Sequence, residues 1–293
     1  MKQHNFFSSN WIYLLWCTLY FIFTWLMFGA TIESFGITFV IYAISMLVAL
    51  SPLGEGILRL MHSVRTLDTK KEKEYLMPIF DEVYETAKEV CPNLRKIKLF
   101  IVDAMYVNAF ALGWSTVAVT RGAVQTLSED ELKGVIAHEI GHITRGHTIA
   151  LLLTVVGNGM FTLMMIISQI IMNIITIIIS VASGNVFVRG MLMLSQSLSS
   201  AGYLLLMYMI QAILAINSRK NEFEADLFAY EIGYGENLVE SLYLFHETTM
   251  NHKMTLLEKM RSSHPHLAKR IARLEELIDN ETAEHEQLVE NAV

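Results

Sequence analysis

His138, Glu139 and His142, in the run His-Glu-Ile-Gly-His, are the residues whose types and spacing could do chemistry. Helical positions four apart lie on one face, so the two imidazoles point the same way. That spacing suits two corners of a tetrahedral zinc site. Glu139 sits at the edge of the same face, out of position to ligate but able to reach a water on the metal. A metal ion lowers the pKa of such a water, and a nearby carboxylate can take its proton and deliver it to a leaving amine. Three fixed positions in five also recur by chance on surface helices. Here Val135, Ile136, Ala137, Ile140, Gly141 and Ile143 make the helix apolar almost all round, as buried helices are. Two histidines and a glutamate buried there without a metal would be costly.

Such a site needs a third protein ligand. A histidine six residues beyond the second would fall at Thr148. His147 is one residue short and turned by about 100°, so it is expected at a helix end, away from the metal. The better source is Ser218-Arg-Lys-Asn-Glu-Phe-Glu-Ala-Asp226. Glu222 and Asp226 share one helix face; Glu222 can ligate, and Asp226 can accept a hydrogen bond from a ligand imidazole. Glu224 points the opposite way and is expected to face solvent. On spacing alone, a charged helix beside a membrane explains these acids equally well.

The elements that must position these residues follow from composition. Hydrophobic residues make up 53% of the 293 and charged residues only 17%, too little charge to cover a soluble surface. The modest net charge of −7 argues against a nucleic-acid partner, which calls for a basic face. Cys17 and Cys91 form no metal or disulfide pattern and are expected to be free thiols. Stretches 11–32, 34–54, 148–188 and 190–218 lack acidic and basic residues for long enough to cross a bilayer, which takes about 20 helical residues. The third is too long for one upright span, and Ala182-Ser183-Gly184-Asn185 marks a turn at its end. Asn158, Gln169 and Asn173 within it are expected to pack between helices. The first stretch reads as a retained anchor, its apolar core being too long for a signal peptide. Arg59, Arg65, Lys70, Lys71 and Lys73 follow the second span, and Arg219 and Lys220 the fourth. By the positive-inside rule both soluble segments and both chain ends lie on the cytoplasmic side.

The expected fold is therefore mostly α with a small antiparallel β element: four transmembrane helices plus a zincin-like cytoplasmic protease domain. Its parts are two N-terminal transmembrane helices in 1–54, a first piece of the protease domain in 55–147, two more helices in 148–218, and a second piece in 219–293. In the first piece 77–90 reads as a helix with Pro78 in its first turn, and 96–102 as a strand. Residues 107–120, broken at Gly113, read as a pair of short strands or a hairpin. Ser128 and Glu131 form a capping box that opens the helix bearing the histidines.

With these residues placed, the sequence resembles the HtpX family of bacterial inner-membrane zinc proteases, relatives of the CAAX prenyl endoproteases. The resemblance rests on His138 to His142, Asn221-Glu-Phe-Glu-Ala-Asp226, and two spans before the first motif and two between the motifs. Asn108-Ala-Phe-Ala-Leu-Gly113, and Ser263-His-Pro265 followed by Arg270-Ile271, are similar to further family motifs. It covers nearly the whole chain and implies one zinc ion per chain, held by His138, His142 and Glu222. It also implies polypeptide substrates, damaged or misassembled membrane proteins among them, at the cytoplasmic face of the bilayer. A strand at 107–112 could pair with an extended substrate, with Asn108 near the scissile bond. His264 and Arg270 carry donors for the charge of a tetrahedral intermediate. The alternatives are a turn role for Asn108 and an ion pair with Glu275 for Arg270. The chain departs from the family at Thr144-Arg-Gly-His147, where an acidic or amide residue is common. A membrane scaffold or transporter with structural zinc, and a prenyl-protein endoprotease, are the rival readings. Ionisable groups are absent from 11–32 and 148–188, against a transporter, and four spans are few for the prenyl-protein enzyme.

Overall fold

The computed structural model describes residues 6–250 and 267–290, mostly helical with one small sheet. Helix α1 (Phe6–Met27) and helix α2 (Ile32–Leu50) form an antiparallel apolar pair. Ser51 breaks the chain in extended geometry and caps the short amphipathic helix α3 (Pro52–Met61), with Pro52 in the first turn. Ile32–Leu50 is long and apolar enough to cross a membrane; the shorter apolar helical stretches are Tyr13–Leu26, His147–Gly157 and Gln169–Ala182. Ile37, Phe39 and Leu47 of α2 point outward, unburied by the rest of the protein.

Strand β1 (Val64–Arg65) leads into helix α4 (Lys70–Val90), which opens on a reciprocal Thr69–Glu72 capping box. That cap starts the helix earlier than expected and leaves Pro78 in its interior rather than its first turn. Strands β2 (Lys98–Val102), β3 (Ala109–Leu112) and β4 (Thr116–Thr120) complete a sheet of order β1-β2-β4-β3 among the described residues. The sheet is mixed rather than antiparallel, because β2 and β4 run parallel while β3 returns along β4 as the hairpin partner. The hairpin takes the inner position for β4 and leaves β3 at the edge.

After the short helix α5 (Arg121–Thr126), Ser128 and Glu131 cap helix α6 (Glu129–Thr144) reciprocally. From Leu132 to Ile143 nearly every side chain of α6 is buried. Gly146, in the left-handed region at φ 75°, turns the chain into helix α7 (His147–Leu152) and the π-helical turn Leu153–Gly157. Ser45 and Tyr42 of α2 hold this turn by donating to the Gly157 carbonyl at 2.5 Å and to Asn158 Oδ1 at 2.8 Å. Helix α8 (Gly159–Ser183) ends at Gly184 in the left-handed region, at the expected turn. Of its polar residues Gln169 meets Gln196 on the next helix at 3.3 Å, whereas Asn173 faces outward.

Helix α9 (Val186–Glu231) is continuous for 46 residues, roughly 69 Å at 1.5 Å per residue. It runs from the fourth apolar stretch directly into the segment that carries Glu222 and Asp226. Helices α10 (Gly235–Met250) and α11 (Leu267–Glu290) pack beside its end. The main core joins Leu76, Ile79 and Val83 of α4, Leu132, Ile136 and Ile140 of α6, Phe228 of α9, Leu238 of α10, Leu274 of α11 and one face of the sheet. Each fully buried aliphatic or aromatic side chain is worth about 1.5–3 kcal/mol of transfer free energy. This core therefore fixes α6 against α9, the two helices on which the site depends.

Candidate active site

Gly141 makes the approach of α6 and α9 possible. A Cβ there would lie 3.1 Å from both the Cα and the carbonyl oxygen of Ala225, tighter than ordinary packing. With no side chain at 141, the backbone turn bearing Glu222 and Asp226 settles directly against the His138–His142 face.

His138 Nε2 and His142 Nε2 converge to 3.2 Å. Glu222 closes the triangle, with Oε2 at 3.6 Å from His138 Nε2 and Oε1 at 3.7 Å from His142 Nε2. A tetrahedral zinc ion with nitrogen ligands at about 2.05 Å needs edges of about 3.3 Å, so the donor set fits the ion in identity, number and spacing. His138 and Glu222 are buried, and all three donor atoms lie within 4.8 Å of one another. Glu139 is also buried, beside His138 and near enough to Arg270 to help raise that guanidinium's pKa.

Behind the donors lies a charged lattice. Asp226 Oδ1 lies 2.9 Å from His138 Nδ1. Arg270, only 5% exposed, donates through Nε and Nη2 to Asp226 at 2.8 and 2.6 Å, and its Nη1 lies 2.8 Å from Glu222 Oε2. Burial alone would raise Asp226, yet Arg270 and His138 hold it below the usual carboxylate range. Burial and Arg270 push His138 down, but Asp226 and Glu222 outweigh them and hold it above the ordinary imidazole range. Burial, then the charge on His138, pushes His142 well below that range.

The placement of Arg270 differs from the expected pairing with Glu275. Its guanidinium is engaged by Asp226 and Glu222. Glu275 instead accepts from the Tyr243 hydroxyl at 2.6 Å. Asn108 precedes β3 with its side chain exposed; its backbone is tied to Thr120 through both N–H and carbonyl at 3.0 Å. The strand itself therefore begins at Ala109, and β3 packs on α6. His264 lies outside the described residues.

One expectation fails outright: Glu224 does not face solvent. His147 stands at the first residue of α7 and outside the ligand set, as expected, but it is 4% exposed and its Nε2 lies 3.0 Å from Glu224 Oε2. A histidine beside the motif, where the family commonly has an acidic or amide residue, was the signal for it. Glu55 of α3 was missed as well. Its buried carboxylate accepts from the Trp114 N–H at 3.0 Å, from Ser115 Oγ at 2.8 Å and from Thr116 Oγ1, which pins the β3–β4 turn. An acid just past an apolar span hardly announces such a role.

Residues 70–278 match the model of peptidase family M48, a segment that contains every ligand candidate and the whole of the sheet except β1. The chain belongs to peptidase family M48. Among M48 relatives, it is 30% identical over 223 residues to the protease HtpX of Hahella chejuensis, covering 67% of this chain and 70% of that one. To the protease HtpX of Pseudomonas fluorescens it is 32% identical over 152 residues, 50% of this chain and 48% of that one. A 50-residue stretch is 52% identical to an HtpX homolog of Helicobacter acinonychis, 16% of either chain. The match thus spans about half the length of the Pseudomonas protein. Among solved structures, Ste24p of S. mikatae is similar at a TM-score of 0.48 and 21% identity, over 88% of this chain and 61% of that one.

Proposed function

We propose that this M48 chain is a zinc-dependent endopeptidase of the bacterial inner membrane, with its site and both termini on the cytoplasmic side. The observation that carries this reading is the convergence of His138, His142 and Glu222 with Glu139 next to the first ligand. His138, His142 and Glu222 would hold zinc, which when bound would supply Lewis acidity toward a peptide carbonyl and acidify a water. Glu139, beside His138, would take a proton from the attacking water and pass it to the leaving amine. Arg270 and Asp226 keep Glu222 and His138 in place for that step. An extended substrate is held along the outer edge of β3, which is paired on its other side with β4. Asn108, at the start of that edge, is placed to meet the substrate backbone, and His264 is assigned to the charge of the tetrahedral intermediate on the family resemblance alone.

The four apolar stretches serve as membrane spans in this reading. Outward-facing Ile and Leu on α2, α8 and α9 support it, since these side chains are left unburied by the protein. The basic residues Arg59, Arg65, Lys70, Lys71, Lys73, Arg219 and Lys220 set the orientation. A site at that face suits the cytoplasmic loops of damaged or misassembled membrane proteins, and quality control is the role this supports.

The test is Glu139→Gln in detergent-purified protein, with zinc content and cleavage of casein measured on one preparation. Retained zinc with lost cleavage is the expected result. Persistent cleavage rules out the protease mechanism, and lost zinc assigns Glu139 to the metal instead.

A further inference from the structure

The three acids of the α9 turn, Glu222, Glu224 and Asp226, all converge on the histidines, although residue 224 lies on the opposite helical face from 222 and 226. The left-handed turn at Gly146 makes this possible: it ends α6 and folds His147 back beside His142. His147 Nδ1 then lies 3.0 Å from His142 Nδ1, and His147 Nε2 lies 3.0 Å from Glu224 Oε2. Lys220 reaches the other Glu224 oxygen at 3.3 Å from the exposed side.

A single set of proton positions satisfies every contact. For His142 Nε2 to offer its lone pair to a metal, the ring proton must sit on Nδ1, which then donates to His147 Nδ1. His147 is left with its proton on Nε2, aimed at Glu224. We infer that His147 and Glu224 form a relay that fixes the tautomer and ring angle of His142, as Asp226 does directly for His138. Each ligand imidazole is thus braced by a carboxylate of the same helical turn, one at first hand and one through an interposed histidine. His147 and Glu224 are positioning residues, and this inference rests on the zinc reading proposed above. It also explains why a histidine is buried at 147: the added ring spans the gap to a carboxylate on the far flank of α9.

The test uses full-length protein in detergent, loaded with zinc, and follows zinc loss to a chelator in excess. Variants are His147→Ala, Glu224→Ala, the double variant, and the near-isosteric His147→Gln and Glu224→Gln. Glu231→Gln, which alters the partly exposed carboxylate paired at 3.1 Å with the buried Arg145 side chain, is the control for general disturbance of the segment. Removing an outer partner of a metal-bound histidine typically costs on the order of 10–100-fold in metal affinity. Each alanine variant is therefore expected to release zinc roughly 10–100-fold faster than wild type. The double variant should be no faster than the worse single one, because the two residues act in series. Glu224→Gln, which keeps an acceptor for His147 Nε2–H, should fall between wild type and Glu224→Ala, and Glu231→Gln should match wild type. Cobalt-loaded protein gives a second readout, an altered ligand-field spectrum in the relay variants alone. Should an alanine variant not fold, the glutamine pair carries the same comparison. Wild-type release rates across the relay variants would overturn the relay and leave the zinc site standing, as would multiplicative effects in the double variant. Wild-type protein that binds no zinc overturns the zinc reading and the relay together.

Discussion

Asp226 Oδ1 lies 2.9 Å from His138 Nδ1 and accepts at 2.6 Å from Arg270 Nη2, so one carboxylate oxygen serves a ligand imidazole and a buried guanidinium together. The negative charge is what makes both bonds strong. Asp226→Asn keeps an acceptor of the same shape but removes the charge. Zinc affinity should fall on the order of 10–100-fold, the usual cost at this kind of position. Competition against a chromogenic chelator measures it, and an affinity equal to wild type would show that His138 is oriented by packing alone.

Arg270 is buried against two carboxylates, so its loss should register first in stability. Arg270→Met leaves Asp226 and Glu222 without their guanidinium in a dry site. Breaking a buried pair from one side typically costs about 3–5 kcal/mol. Arg270→Lys should recover part of this, since an ammonium cannot bond Asp226 through a two-pronged fork. Thermal denaturation of the Glu139→Gln protein, with and without Arg270→Met, separates this role from one in transition-state binding. Equal melting of the two proteins would return Arg270 to the oxyanion.

Much of this was legible in the sequence because it is local. The Ser128–Glu131 capping box, the apolar surround of His138 and His142, the break at Gly184 and the shared face of Glu222 and Asp226 all follow from spacings of three or four residues. What escaped depends on tertiary approach. His147 sits five residues past His142, off the ligand face, and only the left-handed turn at Gly146 brings its ring back. Glu224 was assigned by helical angle to solvent, but α7 occupies that flank. Arg270 reaches Asp226 across 44 residues of chain, a distance over which no periodicity speaks. The parallel β2–β4 pair was hidden because a hairpin pattern records how β3 meets β4 and leaves the third strand's direction open.

Glu55 joins the helix leaving the second apolar span to the turn that ends β3. Glu55→Ala leaves the Trp114 N–H and two hydroxyls without their acceptor. A stranded buried donor costs about 1–3 kcal/mol, so destabilisation of that size or somewhat above it is expected in denaturant titrations. The β3 edge should loosen too, with kcat/KM for casein reduced more than zinc content. Gly113→Ala should act in the same direction. Residue 113 has φ 58°, and a Cβ there would stand 2.7 Å from Glu55 Cγ. A Gly113→Ala protein as stable as wild type would show that the turn can re-form without this contact.

Glu72 gives the protease domain a pH-dependent stability term away from the metal. Arg65 Nη2 lies 2.8 Å from its Oε1, and the Asp68 and Thr69 N–H groups donate to its Oε2 at 3.2 Å. Chiefly through the Arg65 bond, its carboxyl is lowered from 4.5 to about 2. Asp103, on the far side of Arg65, is lowered as well by Arg65 and then Arg121. Because the folded pKa lies below the unfolded one, the contribution is fully present above about pH 4.5 and fades as pH falls toward about 2. Glu72→Gln removes this term while keeping an acceptor for the helix cap. The stability gap between wild type and variant should therefore be constant from pH 7 to about 5 and shrink below that. Urea unfolding of both proteins across that range is the measurement. A gap that persists unchanged at about pH 2 would mean that Glu72 acts as a neutral cap rather than through its ion pair with Arg65.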